Sequence, residues 1–159
     1  MGLLVLVQGG GRSGTSNRPA HKRGIDLGRD RGRHGRMATN VTLYAYAGCG
    51  TCKKALRWLE GRGVTPAVVP IVERPPCAAE LEKLIERSGL PASKWWNTSG
   101  EAYRALVTER GKDAIAKLTT KQIAALLAEN GKRIKRPVLV TKDAVLVGFR
   151  EEQYAAHFG

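Results

Sequence analysis

No apolar run in this chain approaches the ~18 residues that a membrane helix needs, so a spanning helix is excluded from the sequence as given. Cysteine occurs only three times, as Cys49, Cys52 and Cys77. An odd, small count rules out a fully paired extracellular disulfide framework and makes a reducing cytosol the expected compartment. Histidine is as scarce. A zinc site built on Cys49 and Cys52 would need a second ligand pair, and Cys77, His21, His34 and His157 are not grouped at ligand spacing, so no metal is expected. Acidic residues are outnumbered 14 to 27, which gives a formal net charge of +13. Such a balance usually raises the question of nucleic acid. Much of the excess stands before Met37, where eight lysines and arginines face only Asp26 and Asp30, and the remainder mixes both signs along its helices. The expectation is a moderately basic domain that attracts anions, preceded by a basic tail.

The tail, residues 1–39, reads as disordered. After Leu3-Leu4-Val5-Leu6-Val7 come glycine, arginine, serine and proline with almost no apolar periodicity. The apolar run is too short for a secretory core and lacks a basic segment before it. Gly9-Gly10-Gly11-Arg12-Ser13-Gly14 satisfies G-x-G-x-x-G, but it opens no apolar helix, and Thr15 stands where a phosphate-loop lysine would be. Met37-Ala38-Thr39-Asn40 leads directly into the first strand, so Met37 is the expected start, with the preceding residues an upstream over-extension of the reading frame.

Residues 40–159 read as one α/β domain. Val41 to Tyr46 has strand character, Thr51 to Arg62 helical character, and Ala67 to Val72 strand character, with Pro70 implying an edge or a bulge. A strand-helix-strand unit of this length implies parallel pairing with a right-handed crossover. Leu81, Leu84 and Ile85 mark a helix over Ala78 to Ser88; Tyr103, Leu106 and Val107 mark another; Thr119 and Gln122 cap a third over Ile123 to Asn130. Pro137 to Val140 and Ala144 to Phe149 read as an antiparallel hairpin around Lys142-Asp143, followed by a helix from about Glu151.

Between the first strand and helix lies Cys49-Gly50-Thr51-Cys52, two thiols one helical turn apart. Unpaired N–H groups and the positive end of the helix dipole favour thiolate over thiol there. The same spacing also fits half a zinc site or a pair of buried structural thiols; strand, short turn, Cys-x-x-Cys and helix together favour redox or nucleophilic use of Cys49. Cys77 falls at the N-cap position expected for the next helix and reads as an incidental small residue, Trp58, Trp95 and Trp96 as packing, His157 as solvent-facing, and Lys53 and Lys54 as surface charges able to attract anions.

Four segments taken in order, Tyr44 to Ala55, Ile71 to Pro76, Trp96 to Gly100 and Ile134 to Val140, resemble the arsenate-reductase-related (ArsC/Spx) family over about Val41 to Phe158. The resemblance implies a thioredoxin-like fold: β-α-β, a helical insertion, then β-β-α. It implies that Cys49 is the catalytic cysteine, that Arg136 stabilises thiolate and anion, and that Pro137 faces the cysteine, often through a cis peptide. Gly50, Thr51, Asn97 and Arg150 fall among the substrate-contacting positions. Two departures stand out. Asn97 and the vicinity of Phe149 occupy positions where arsenate reductases carry further arginines, and Cys52 stands where they usually carry serine, which permits a Cys49–Cys52 disulfide. The implied function is a cytoplasmic, monomeric thiol oxidoreductase without bound cofactor or membrane association. Its substrate is a disulfide, a glutathione adduct or an oxyanion such as arsenate, and glutathione with glutaredoxin, or thioredoxin, is the reductant. The alternative is an Spx-type redox-sensing regulator that binds RNA polymerase.

Overall fold

The computed structural model describes residues 40–159; the basic tail and the expected start at Met37 lie outside the described residues. The elements run β1 (Thr42–Ala45), α1 (Gly50–Gly61), β2 (Ala67–Pro70), α2 (Ala78–Ser88), a 3-10 turn (Ala92–Trp95), α3 (Glu101–Arg110), α4 (Lys112–Ala116) and α5 (Thr120–Glu129). A second 3-10 turn (Gly131–Arg133), β3 (Val138–Val140), β4 (Val145–Val147) and α6 (Glu151–Phe158) complete the domain.

The sheet order is β2-β1-β3-β4, with β1 parallel to β2 and the β1–β3 and β3–β4 pairs antiparallel. This is the β-α-β, insertion, β-β-α arrangement read from the sequence. Strand β2 is an edge, as Pro70 requires: proline cannot donate to a ladder on both sides. The pleat assigns alternate residues to opposite faces. Leu43 pairs with Leu139 in register, and both are fully buried with Val41, Ala55, Leu59 and Tyr154. The other face receives Val138 and Val145, which join Ile71, Leu81, Leu84, Ile85 and the insertion's Trp95, Leu106, Ile123 and Leu127.

Local signals explain most element boundaries. Helix α1 buries Cys52, Ala55 and Leu59, one stripe at helical spacing. Helix α2 ends at Gly89, whose φ of 65° is the left-handed conformation that glycine adopts without a Cβ penalty. Thr119 and Gln122 form the expected reciprocal capping box at α5. Short α4, which contributes only Ile115 to the core, was not legible, because five residues carry too little periodicity. His157 departs from its expected solvent-facing place: it is half-buried, with Nε2 3.0 Å from the hydroxyl of Thr141. Trp95 and Trp96 are buried as expected. Trp58 meets Tyr154 edge-on at 5.7 Å in the α1–α6 seam.

The insertion is fastened beside the thiol turn by backbone contacts. Trp96 bridges to Ile134, Asn97 N–H donates to the Arg133 carbonyl at 2.8 Å, and Lys135 N–H donates to the Trp95 carbonyl at 2.7 Å. Gly131 permits the approach from the other side, since a Cβ there would collide with the backbone carbonyl of Ile71.

Candidate active site

Cys49 is the N-cap of α1, with extended backbone (φ −94°, ψ 115°). Its sulfur accepts a hydrogen bond from the Cys52 N–H at 3.4 Å, so a cysteine takes the place a serine or aspartate fills at ordinary helix starts. Partial burial alone would push the Cys49 thiol up. The Cys52 thiol, the backbone N–H groups of Cys52 and Thr51, and the Arg136 guanidinium outweigh it, and the net displacement is downward from the ordinary value. Cys52 has the opposite fate. It is 3% exposed on the core stripe of α1, and burial, with the negative charge that Cys49 tends to carry, pushes it up to about 12 despite a compensating backbone contact from Tyr46. Both thiols are unbonded cysteines. One helical turn therefore holds an acidic, accessible sulfur and a suppressed, buried one.

Arg136 is held over the Tyr46 ring, with its guanidinium carbon 4.9 Å from the ring centre. Gly48 makes room for that ring, because a Cβ at this position would stand 2.8 Å from Tyr46 Cε1. The Arg136–Pro137 bond is cis, and the Pro137 carbonyl accepts from Gly148 N–H at 2.7 Å.

Cys49 opens onto a cleft of ≈ 640 Å³, whose lining includes Thr51, Leu90, Pro91, Lys94, Asn97, Ser99, Lys135, Arg136, Val147, Gly148, Phe149, Arg150 and Gln153. Of the residues expected at the site, Cys49, Thr51, Asn97, Arg136 and Arg150 thus share one cleft. Cys52 lies buried behind Cys49, Gly50 is exposed on the first turn of α1 without lining the cleft, and Pro137 is buried beneath it. Asn97 is committed to scaffolding as well: Nδ2 donates to the Lys132 carbonyl at 3.1 Å, and Oδ1 accepts from Ser99 at 3.3 Å. A smaller cavity of ≈ 340 Å³ adjoins through Asn97 and Arg136 and continues to Gly100, Glu101 and Lys132. Sequence reasoning passed over Lys94, Lys135 and Gln153. Lys135 was available as the neighbour of Arg136; nothing near Lys94 in sequence announced that its turn lines the same cleft as Cys49. Among the described residues, no three His, Cys, Asp or Glu side chains group as a metal site.

Residues 44–157 match the sequence model of the ArsC family. The chain belongs to the ArsC family. Within this ArsC family, it is 41% identical over 115 residues to the uncharacterized protein YusI of Bacillus subtilis, an alignment spanning 72% of this chain and 95% of that one. It is 30% identical over 103 residues to the arsenate reductase of Acidiphilium multivorum, spanning 65% of this chain and 70% of the enzyme. Among solved structures, an ArsC family related protein from Bacteroides fragilis superposes with a TM-score of 0.68 at 38% identity, covering 75% of this chain and 98% of that chain. These likenesses bear out the thioredoxin-like fold and the family resemblance read from the four sequence segments.

Proposed function

We propose that this ArsC family member is a thiol-disulfide oxidoreductase in which Cys49 attacks and Cys52 resolves. The observation that carries the reading is the placement of two thiols in one turn, Cys49 at the helix N-cap facing the cleft and Cys52 buried behind it, an arrangement that favours the thiolate at the first and suppresses it at the second. Thiol-disulfide exchange needs that asymmetry: the attacking sulfur must be a thiolate in contact with substrate, and the resolving sulfur must wait until a mixed disulfide exists.

In the first step, the Cys49 thiolate bonds to one sulfur of a substrate disulfide or thiol adduct, and the other sulfur leaves as thiolate. In the second, Cys52 gives up its proton to solvent and attacks Cys49 Sγ. The Cys49–Cys52 disulfide forms, and the remaining substrate thiolate departs. The substrate gains two electrons, and a thiol reductant, glutathione with glutaredoxin or thioredoxin, returns them to the pair. Arg136 favours the Cys49 thiolate and offers planar donors to an anionic substrate group, while Pro137, Thr51 and Arg150 shape and border the approach. An oxyanion such as arsenate could be attacked by the same thiolate, but Asn97 offers it no charge.

Reductase assays with arsenate and with a glutathionylated peptide, each with glutathione and glutaredoxin or with thioredoxin, test the reading. Cys49→Ser should abolish turnover, and Cys52→Ser should accumulate a mixed disulfide visible by mass spectrometry. Full activity in the Cys49 variant would refute the assignment. Redox-dependent capture of RNA polymerase through the carboxy-terminal domain of its alpha chain, without turnover, would favour an Spx-type regulator instead.

A further inference from the structure

The cleft is one-sided in charge. Lys94, Lys135, Arg136 and Arg150 line it, and no aspartate or glutamate does. Neither ion pair found among the described residues involves these four cations. The carboxylate nearest in sequence, Glu151, is turned toward the α1–α6 seam, where it accepts from Trp58 Nε1 at 3.2 Å. Like charges gathered without counter-charges repel one another, so an arrangement of this kind is stabilised by an anionic ligand.

The backbone that carries the two lysines is also held in position, while their side chains are exposed. The backbone bond from Lys135 N–H to the Trp95 carbonyl, 2.7 Å, ties Lys135 directly to the turn that carries Lys94. Trp95 anchors that turn in the core with no exposure. The Lys135 stem passes over Gly148, with Cε 3.6 Å from where a Cβ would stand, an ordinary packing distance. Size adds a second constraint. An inorganic oxyanion displaces only a few waters of about 30 Å³ each, a small part of the ≈ 640 Å³ present. Leu90, 39% exposed, and Pro91 add apolar surface to the lining.

We propose that the cleft recognises an extended thiol adduct, such as a cysteine within an acidic peptide, through Lys94 and Lys135. These two cations hold anionic groups that flank the reacting sulfur. Arg136 remains with the reacting sulfur, and Lys94 and Lys135 determine specificity. The proposal rests on Cys49 being the attacking thiol and adds what surrounds the bond attacked.

The test is a single turnover by pre-reduced protein. Its substrates are the mixed disulfides of 5-thio-2-nitrobenzoate with acetyl-Glu-Cys-Glu-amide and with acetyl-Gln-Cys-Gln-amide, equal in size and different in charge. In each, the protein's two thiols become a disulfide, and the substrate is split to two thiols. At low ionic strength, the half-saturating concentration should be about tenfold lower for the acidic peptide, as two partly solvated charge contacts allow. Salt should shrink the difference, a Lys94→Gln, Lys135→Gln variant should remove it, and the Lys94→Glu, Lys135→Glu variant should reverse it. Equal half-saturation by both peptides, or a preference that survives the glutamine variant, overturns the proposal. If neither disulfide is split, the oxidoreductase reading fails separately. Calorimetric titration with the unreactive S-methyl forms of the two peptides then decides this one: tighter binding of the acidic form supports it, and equal binding overturns it.

Discussion

Resolution of the mixed disulfide should be slow at neutral pH and should accelerate about tenfold per pH unit. At about 12, Cys52 is a thiolate on the order of one part in 100,000 at pH 7, against a few per cent for an ordinary thiol near 8.5. Greater basicity also makes each thiolate a better nucleophile, with a Brønsted coefficient of about 0.4–0.5. That recovers roughly 40-fold of a deficit of roughly 3,000-fold, so resolution is slower by up to roughly 100-fold than for an unperturbed cysteine in the same geometry. Part of the upward push comes from Cys49 and disappears once Cys49 is tied up in the mixed disulfide. Burial is the larger cause and survives. The assay follows release of 5-thio-2-nitrobenzoate from its symmetrical disulfide by stopped flow. A Cys77→Ser background is needed, because Cys77 is exposed and would add its own signal. The first release reports Cys49 and should level off at a lower pH than an ordinary thiol does, because the pKa of that thiol is displaced downward. The second reports attack by Cys52 and should climb log-linearly from pH 7 to 9. A second phase that levels off below pH 8 would refute the assignment of a buried, suppressed resolving thiol, and its persistence in Cys52→Ser would refute that thiol's involvement.

Two further outcomes probe the scaffold. Arg136 pulls the Cys49 pKa down, so Arg136→Gln raises it; iodoacetamide alkylation should slow on the acidic side of its pH profile while rates converge at alkaline pH, and identical pH profiles would remove Arg136 from thiolate stabilisation. Gly131→Ala places a Cβ against the Ile71 carbonyl and within 2.9 Å of Val72 Cα, both backbone, so neither can swing aside. Urea unfolding should show a loss of about 1–3 kcal/mol or more, and an unchanged midpoint would mean that the insertion does not seat as closely as described.

The β-α-β and β-β-α halves were legible because their signals are local: strand runs of alternating residues, a thiol turn ahead of an apolar stripe, and a capping box at Thr119. The site was legible where its residues lie in one segment, as with Cys49, Thr51 and Cys52, or in a second segment with its own signature, as with Arg136 and Pro137. What escaped was set by tertiary contact. Glu151, beside Arg150, looks like a ready counter-charge until Trp58 is seen to engage it. Asn97 reads as a substitution in an anion site, yet its amide also joins the Lys132 carbonyl. Lys94 becomes a cleft residue only because Trp95 is buried and receives Lys135. Pairing between segments distant in sequence leaves no period to detect.

The fastening of the insertion beside the thiol turn also divides the chain by how freely it can diversify. Cys49's acidity is built largely within Tyr46 to Lys53 and from Arg136, whereas one cleft wall comes from Leu90 to Ser99, on a separate stretch. Changes confined to that stretch alter what is admitted without resetting the sulfur that reacts. A lineage could therefore turn one reactive thiol toward many substrates by editing a single ten-residue tract, provided the tryptophan anchoring it is kept.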